Sequence, residues 1–187
     1  MFAFWALLGL IVVSLLYAIS AYNGLIRLRN NRENSFADID VQLKQRHDLI
    51  PQLLNAVKGF MKHEEGVLTK VTQARTKAVN ASNINDKIAA EKQLTTALSG
   101  LQIAVEAYPD LKANQNFMQL QEEISDIENK IAATRRFFNS ATKELNNSVQ
   151  VFPSNLIANM FGFKIEEFFE IDDSKRAEVE EAPKVEF

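Results

Sequence analysis

The 187 residues leave room for one folded domain beyond an apolar N-terminal run, and the absence of Cys excludes disulfides, thiolate metal sites and thiol nucleophiles. The net charge of −3 is unevenly spread: residues 164–187 hold nine acidic and four basic side chains, so the remainder is close to neutral. A near-neutral body with an acidic end lacks the basic face that nucleic acid requires, and only six Gly and four Pro favour long helices.

Met1 to Ile26 carries no charged side chain, and Arg27, Arg29 and Arg32 then follow closely. The run Met1 to Tyr22 is rich in Leu, Ile, Val, Ala and Phe. About 20 such residues cross a hydrocarbon core of roughly 30 Å as a helix. A cleaved signal peptide would need a basic n-region, which is missing, and a shorter apolar core; Ala18-Ile19-Ser20 is only a weak cleavage site. Residues 1–26 are therefore expected to be an uncleaved, single-pass anchor in the lipid bilayer. Lys and Arg tend to stay on the cytoplasmic side. The chain is accordingly expected in the inner (cytoplasmic) membrane, with its N-terminus outside and its bulk in the cytoplasm. Trp5 and Tyr17/Tyr22 stand near opposite ends of the run, where amphipathic rings favour the interface, although Trp5 fits ordinary lipid-facing bulk equally well.

From Phe36 onward the apolar residues follow steps of three and four. Phe36, Ile39, Val41/Leu43, Ile50, Leu53, Val57, Phe60, Val67, Val71, Ala74 and Ala78 trace one stripe, with Arg46 and Glu64 filling its gaps. This spacing predicts a helix from the anchor to about Val79. Pro51 removes a backbone donor and crowds the carbonyl four residues back. Asp48 is placed to cap a fresh helix there, but the stripe keeps its phase across the proline, which favours a kinked, continuous helix over a break.

Residues 80–86 are rich in capping side chains and predict a turn, with Asp86 as N-cap of a second helix that runs to about Tyr108 on Leu94, Leu98, Leu101 and Val105. Pro109-Asp110 ends it, residues 110–116 form a connection, and Asn114 or Asn116 caps the next helix. That third helix carries the cleanest pattern: Phe117, Leu120, Ile124, Ile127, Ile131, Phe138, Ala141, Leu145 and Phe152, with Thr134 and Ser148 in the same register. Pro153 stops it. Asn155 is expected to cap a short helix over Leu156–Phe161, closed by Gly162. Residues 163–171 are amphipathic and aromatic, and residues 172–187 read as a disordered acidic tail.

The second helix is much shorter than the other two, so a lone chain is expected to leave apolar stripes uncovered. Self-association would cover them. The expected oligomer or bundle seam comprises Phe117, Leu120, Ile124, Ile127, Ile131 and Phe138 of the third helix with Ile50, Leu53 and Val57 of the first.

The residues offer little chemistry. His63-Glu64-Glu65-Gly66-Val67 begins like a zinc-protease motif but lacks the second His one turn later. No Gly-x-Ser-x-Gly elbow or Gly-rich phosphate loop occurs. Arg46, His47 and Asp48 are expected to form a structural polar cluster beside Pro51, and Arg135-Arg136 to pair with Glu128 or a neighbouring helix. Acid pairs such as Glu122/Glu123 read as solvated faces. No catalytic, cofactor-binding or metal-binding residue is expected, nor a cofactor, and the chain is not expected to be an enzyme.

Several ordered blocks resemble one known family. They are Tyr22 to Asn30, Asp38 to Pro51, Val57-Lys58-Gly59-Phe60 with His63-Glu64, Ala107 to Asn114, Asn116-Phe117, Leu120-Gln121, Arg135 to Asn139, Phe152-Pro153, and Gly162-Phe163 through Phe168-Phe169-Glu170. Together they are similar to LemA family proteins over about residues 20–170. Ser35-Phe36 departs from the small residue and Trp common in the family, which keeps aromatic bulk and loses the indole donor. The resemblance implies an all-α fold, a long antiparallel helical bundle on an N-terminal transmembrane helix whose N-terminus lies outside, and no established catalysis.

Residues and resemblance together predict an anchor over 1–26, a bundle over 27–171 built from three long helices and a short C-terminal one, and the tail. The expected function is a membrane-anchored, self-associating scaffold. The alternative is a regulatory adaptor of a membrane enzyme such as a metalloprotease, docking that protein partner through Phe168, Phe169 and the acidic tail.

Overall fold

A computed structural model of the chain describes residues 1–61 and 63–170. The expected acidic tail, 172–187, lies outside them. The described residues form six helices and no strand: α1 (Phe2–Lys58), α2 (Glu65–Asn80), α3 (Ile84–Val105), α4 (Pro109–Lys112), α5 (Gln115–Gln150) and α6 (Ser154–Met160). The all-α class is as expected. Near the N-terminus α1 holds an apolar window long enough to cross a membrane, and none of that window is buried inside the protein.

The chain divides into two compact units, to each of which α1 and α5 contribute. The first comprises Met1–Val41 and Ile131–Phe168. In it Phe36 meets Phe138 edge-on at 5.5 Å, and Arg32 reaches Thr142, so the contacts advance in opposite senses along the two helices. α6 folds back on α1: Leu25, Leu145, Val149, Ile157 and Ala158 are buried together, with Ala18, Ala21, Tyr22 and Phe163 packed around them. The backbone after α6 turns at Gly162, whose φ of +73° suits a residue without Cβ. Phe163 N–H donates to the Ala158 carbonyl (2.9 Å) and Gly162 N–H to that of Asn159 (3.4 Å), the Schellman closure of a helix end.

The second unit contains Gln42–Lys130. Its core gathers Ile50, Leu53, Val57 and Met61 with Val71, Leu94, Leu101, Val105, Leu111 and Phe117. α2 and α3 form a hairpin through residues 81–83, and Lys77 Nζ donates to Gln93 across it. The N-cap of α3 is Asn83, whose Oδ1 accepts from the Asp86 N–H at 2.8 Å. This corrects the expectation that Asp86 caps. Asp86 instead lies in the first turn, where a carboxylate suits the helix dipole. Asn114 caps α5 by accepting from the Phe117 N–H at 3.1 Å. The expected connection before it contains the one-turn helix α4, which has Pro109 in its first turn and buries Leu111.

Two further expectations are corrected, and the amphipathic residues 163–170 form neither helix nor strand. The first long helix stops at Lys58, and α2 starts afresh at Glu65. The physical reason is the pair Gly59 and Met61: Gly is a poor helix former, and past it Met61, 1% exposed, turns into the core while Phe60, assigned to the stripe, is 39% exposed. α6 starts at Ser154, so Asn155 lies inside it rather than capping it.

Helix α1 does continue through Pro51, as its phase predicts. The proline has no N–H to give the carbonyl four residues back, that of His47. Arg75 of α2 supplies the substitute, its Nε donating to the His47 carbonyl at 2.7 Å. Arg75→Ala is expected to cost about 1–3 kcal/mol by stranding that carbonyl. In a Pro51→Ala background, where the backbone donor is restored, the same change should cost no more than about 0.5 kcal/mol. Urea unfolding of the four proteins in this cycle measures the coupling, and equal costs in both backgrounds would refute the substitution of donors.

Candidate functional site

The stripe of α1 repeats Leu25, Arg32, Phe36, Ile39, Leu43, Arg46, Ile50, Leu53 and Val57, and every member is buried. Two members are arginines, each in a different unit. Burying a guanidinium is costly unless it is paired and hydrogen-bonded, and both are.

In the second unit Arg46 reaches α3 and α5 at once. Its Nη2 pairs with Glu91 Oε2 and its Nη1 with Glu128 Oε1, while Nη1 also donates to Thr95 Oγ1 at 3.4 Å. The other oxygen of Glu91 lies 2.7 Å from His47 Nε2. The side chains of Arg46 and Glu91 are each 2% exposed, whereas Glu128 is 32% exposed and keeps contact with water. Both oxygens of Glu91 are thus occupied, one by Arg46 and one by His47. The arrangement ties three helices together and presents no free nucleophile or base at its centre.

Arg46 and His47 of the expected cluster are therefore brought together, and Asp48 is not; it is exposed. On a helix, residues two apart face away from each other, so Asp48 cannot share the direction of Arg46. Its place is taken by Glu91, which sequence reasoning missed. The signal was present: Glu91 stands three residues before Leu94, in the register of Leu98, Leu101 and Val105. Glu128, expected as a partner of Arg135-Arg136, engages Arg46.

In the first unit Arg32 is 4% exposed. Its Nε donates to Thr142 Oγ1 at 3.2 Å, and its Nη2 pairs with Glu166 Oε2 at 3.2 Å and donates to the Glu167 carbonyl at 3.4 Å. The guanidinium also lies 4.9 Å from the centre of the Phe138 ring. Asn146 completes the clasp by donating to the Glu166 carbonyl (2.9 Å) and accepting from the Glu166 N–H (2.8 Å). Burial pushes the Arg32 pKa below its ordinary value, and the charges of Glu166, Glu33 and Glu167 oppose the shift. Arginine nonetheless stays protonated in the working pH range. Arg32 was expected as one of the charges flanking the anchor. Its heptad spacing from Leu25 and Ile39 marks it as a stripe member instead.

Of the expected seam, Ile50, Leu53, Val57, Phe117, Ile127, Ile131 and Phe138 are buried within the single chain, and Leu120 and Ile124 are partly buried against its core. The chain covers most of its own stripes, which corrects the premise that a lone chain leaves them open; the stripe residues Phe60 (39% exposed) and Phe152 (74%), both beyond the helix ends, are left outside the core. Of the expected docking pair, Phe168 is 40% exposed and Phe169 is 3% exposed. Phe169 is therefore not presented for docking. Among the described residues no group of three His, Asp or Glu side chains is placed to hold a metal ion.

The family model described as LemA family matches residues 35–187. Protein LemA of Metamycoplasma hominis is 26% identical over 180 residues, which cover 95% of this chain and 82% of that protein. Magnetosome protein MamQ 2 of Paramagnetospirillum magneticum is 21% identical over 175 residues, 80% of this chain and 64% of that protein. Magnetosome protein MamQ of Magnetospirillum gryphiswaldense is 21% identical over 174 residues, 79% of this chain and 64% of that protein. This chain thus spans just under two thirds of the length of the magnetosome proteins.

Proposed function

This chain belongs to the LemA family, and we propose that it is a membrane-anchored helical scaffold that self-associates and performs no catalysis of its own. The observation that carries the reading is the state of the buried ionisable groups. Arg46, His47, Glu91 and Glu128 are spent on one another, as are Arg32 and Glu166. Catalytic acids and bases are instead aimed at an open cleft. The exposed apolar run of α1 supports an anchor. Arg27 and Arg29 just beyond it support a cytoplasmic bulk, with the N-terminus outside the inner membrane.

Because the stripes are covered, self-association falls to side chains outside them, such as Phe137, 72% exposed on α5. Copies rooted in one bilayer meet at high effective concentration, so modest contacts suffice. Cross-linking of the full-length protein in intact membranes, read by mass spectrometry, tests this. Links between two identical peptides, which only separate copies can form, are the expected result. Their absence, with links to a membrane protease or other enzyme in their place, would replace self-association with the adaptor reading.

A further inference from the structure

The chain has two long stretches without a charged side chain, Met1–Ile26 and Leu145–Phe163. The fold brings the second against the end of the first. Ile157 and Ala158 of α6 are buried with Leu25, while Ala18, Ala21 and Tyr22 pack around them, and the Tyr22 and Phe161 rings lie 4.6 Å apart. The opposite face of this second stretch is unpartnered and apolar. Val151 is 58% exposed, Phe152 74%, Leu156 57% and Met160 75%. Four large apolar groups within ten residues exceed the scattered exposure ordinary on a water-soluble surface.

From this juxtaposition we infer that α6 and the turn before it form an interfacial foot that dips into the headgroup and upper acyl region of the same bilayer that holds α1. The inference rests on the anchor reading and adds a second membrane contact, remote in sequence. Three observations select lipid as the occupant. The exposed apolar residues stand next to the end of the exposed run of α1, Met1 to Tyr17, because the end of α6 packs on α1 at Tyr22 through Phe161. The polar residues within Leu145–Phe163 are all uncharged Asn, Ser and Gln, which the interface tolerates. Cations lie at the edge of the apolar elements: Lys164 directly follows the stretch, the pair Lys143-Glu144 precedes it, and Arg29 of α1 lies 5.6 Å from the Phe163 ring, as befits a headgroup layer. The foot would fix the rotation of α1 about its axis, which a single span leaves free.

Trp5 is the sole tryptophan, so it reports on the anchor by itself. The test places full-length protein in phosphatidylcholine–phosphatidylglycerol vesicles carrying bromine on either the upper or the lower part of the acyl chains, and reads indole quenching. In a Trp5→Phe background, Met160→Trp and Phe152→Trp put the indole on the foot. Ser140→Trp, at an exposed position roughly 15 Å before the end of α5, is the control. The expected result is that Met160→Trp and Phe152→Trp each lose roughly half of their emission to upper-chain bromine, with Ser140→Trp unchanged. If Trp5 is quenched in the parent protein while neither foot variant is, the anchor stands and the foot is overturned. A blue-shifted but unquenched foot indole would mean that a protein surface, such as a second copy, covers this face, which also overturns it. An unquenched Trp5 would remove the anchor, and the foot with it.

Discussion

Arg46→Ala lowers stability by about 3–5 kcal/mol, the penalty for leaving a buried carboxylate without its cation. For a chain of this size that corresponds to a fall in Tm on the order of 10 °C. The size follows from burial: the Arg46 and Glu91 side chains are each 2% exposed, so Glu91 cannot turn to water when its partner goes. Glu91→Ala should cost less, because Arg46 retains Glu128, which is itself one-third open to solvent. The double change Arg46→Met with Glu91→Met removes both charges and fills the space with apolar atoms, and it should recover most of the loss. Thermal and urea unfolding of the detergent-solubilised protein, followed by circular dichroism, gives the three values. An Arg46→Ala cost below about 1 kcal/mol would mean that the pair behaves as a surface ion pair, and the lock would be rejected.

Ile131→Asp should prevent folding rather than disperse an assembly. Ile131 is 1% exposed within one chain. Removing its side chain forfeits about 2–5 kcal/mol of packing, and an unpaired carboxylate adds a desolvation penalty of several kcal/mol. The sum is comparable to the whole stability of a typical domain, about 5–15 kcal/mol. The expected outcome is loss of the cooperative thermal transition and poor recovery of the protein. Sedimentation supplies the contrast. A variant that keeps its helix signal and merely becomes smaller would put Ile131 between copies.

How much of this was legible beforehand differs from residue to residue. The stripes were readable because a buried helix face must recur every three or four residues whatever packs on it. The helix ends at Asn114 and Gly162 were readable for a similar reason, since capping and positive φ act within a few residues, whereas α5 stops at Gln150, short of the expected Phe152. The break at Gly59 was hidden because Phe60 and Val67 keep the heptad count across it, although the chain turns Met61 inward in place of Phe60. The polar locks were half legible. Arg46 and His47 stood out beside Pro51, but their partner Glu91 lies 44 and 45 residues on, across a helix break and a turn. Arg32 read as a topogenic charge because three arginines follow the apolar run together, and only burial separates it from the exposed Arg27 and Arg29.

Period, caps and the charge-free N-terminal run belong to the sequence, because each is set by neighbours within a turn or two of helix. The partners of the apolar faces were decided by tertiary structure alone. Stripe residues on α1 and α5 are equally greasy whether a second copy or the same chain covers them, and the fold settles it by packing α2, α3 and α6 over them. Pairing of Arg46 with Glu91, and of Arg32 with Glu166, was decided there as well, since a guanidinium's choice of carboxylate depends on which helices lie within reach.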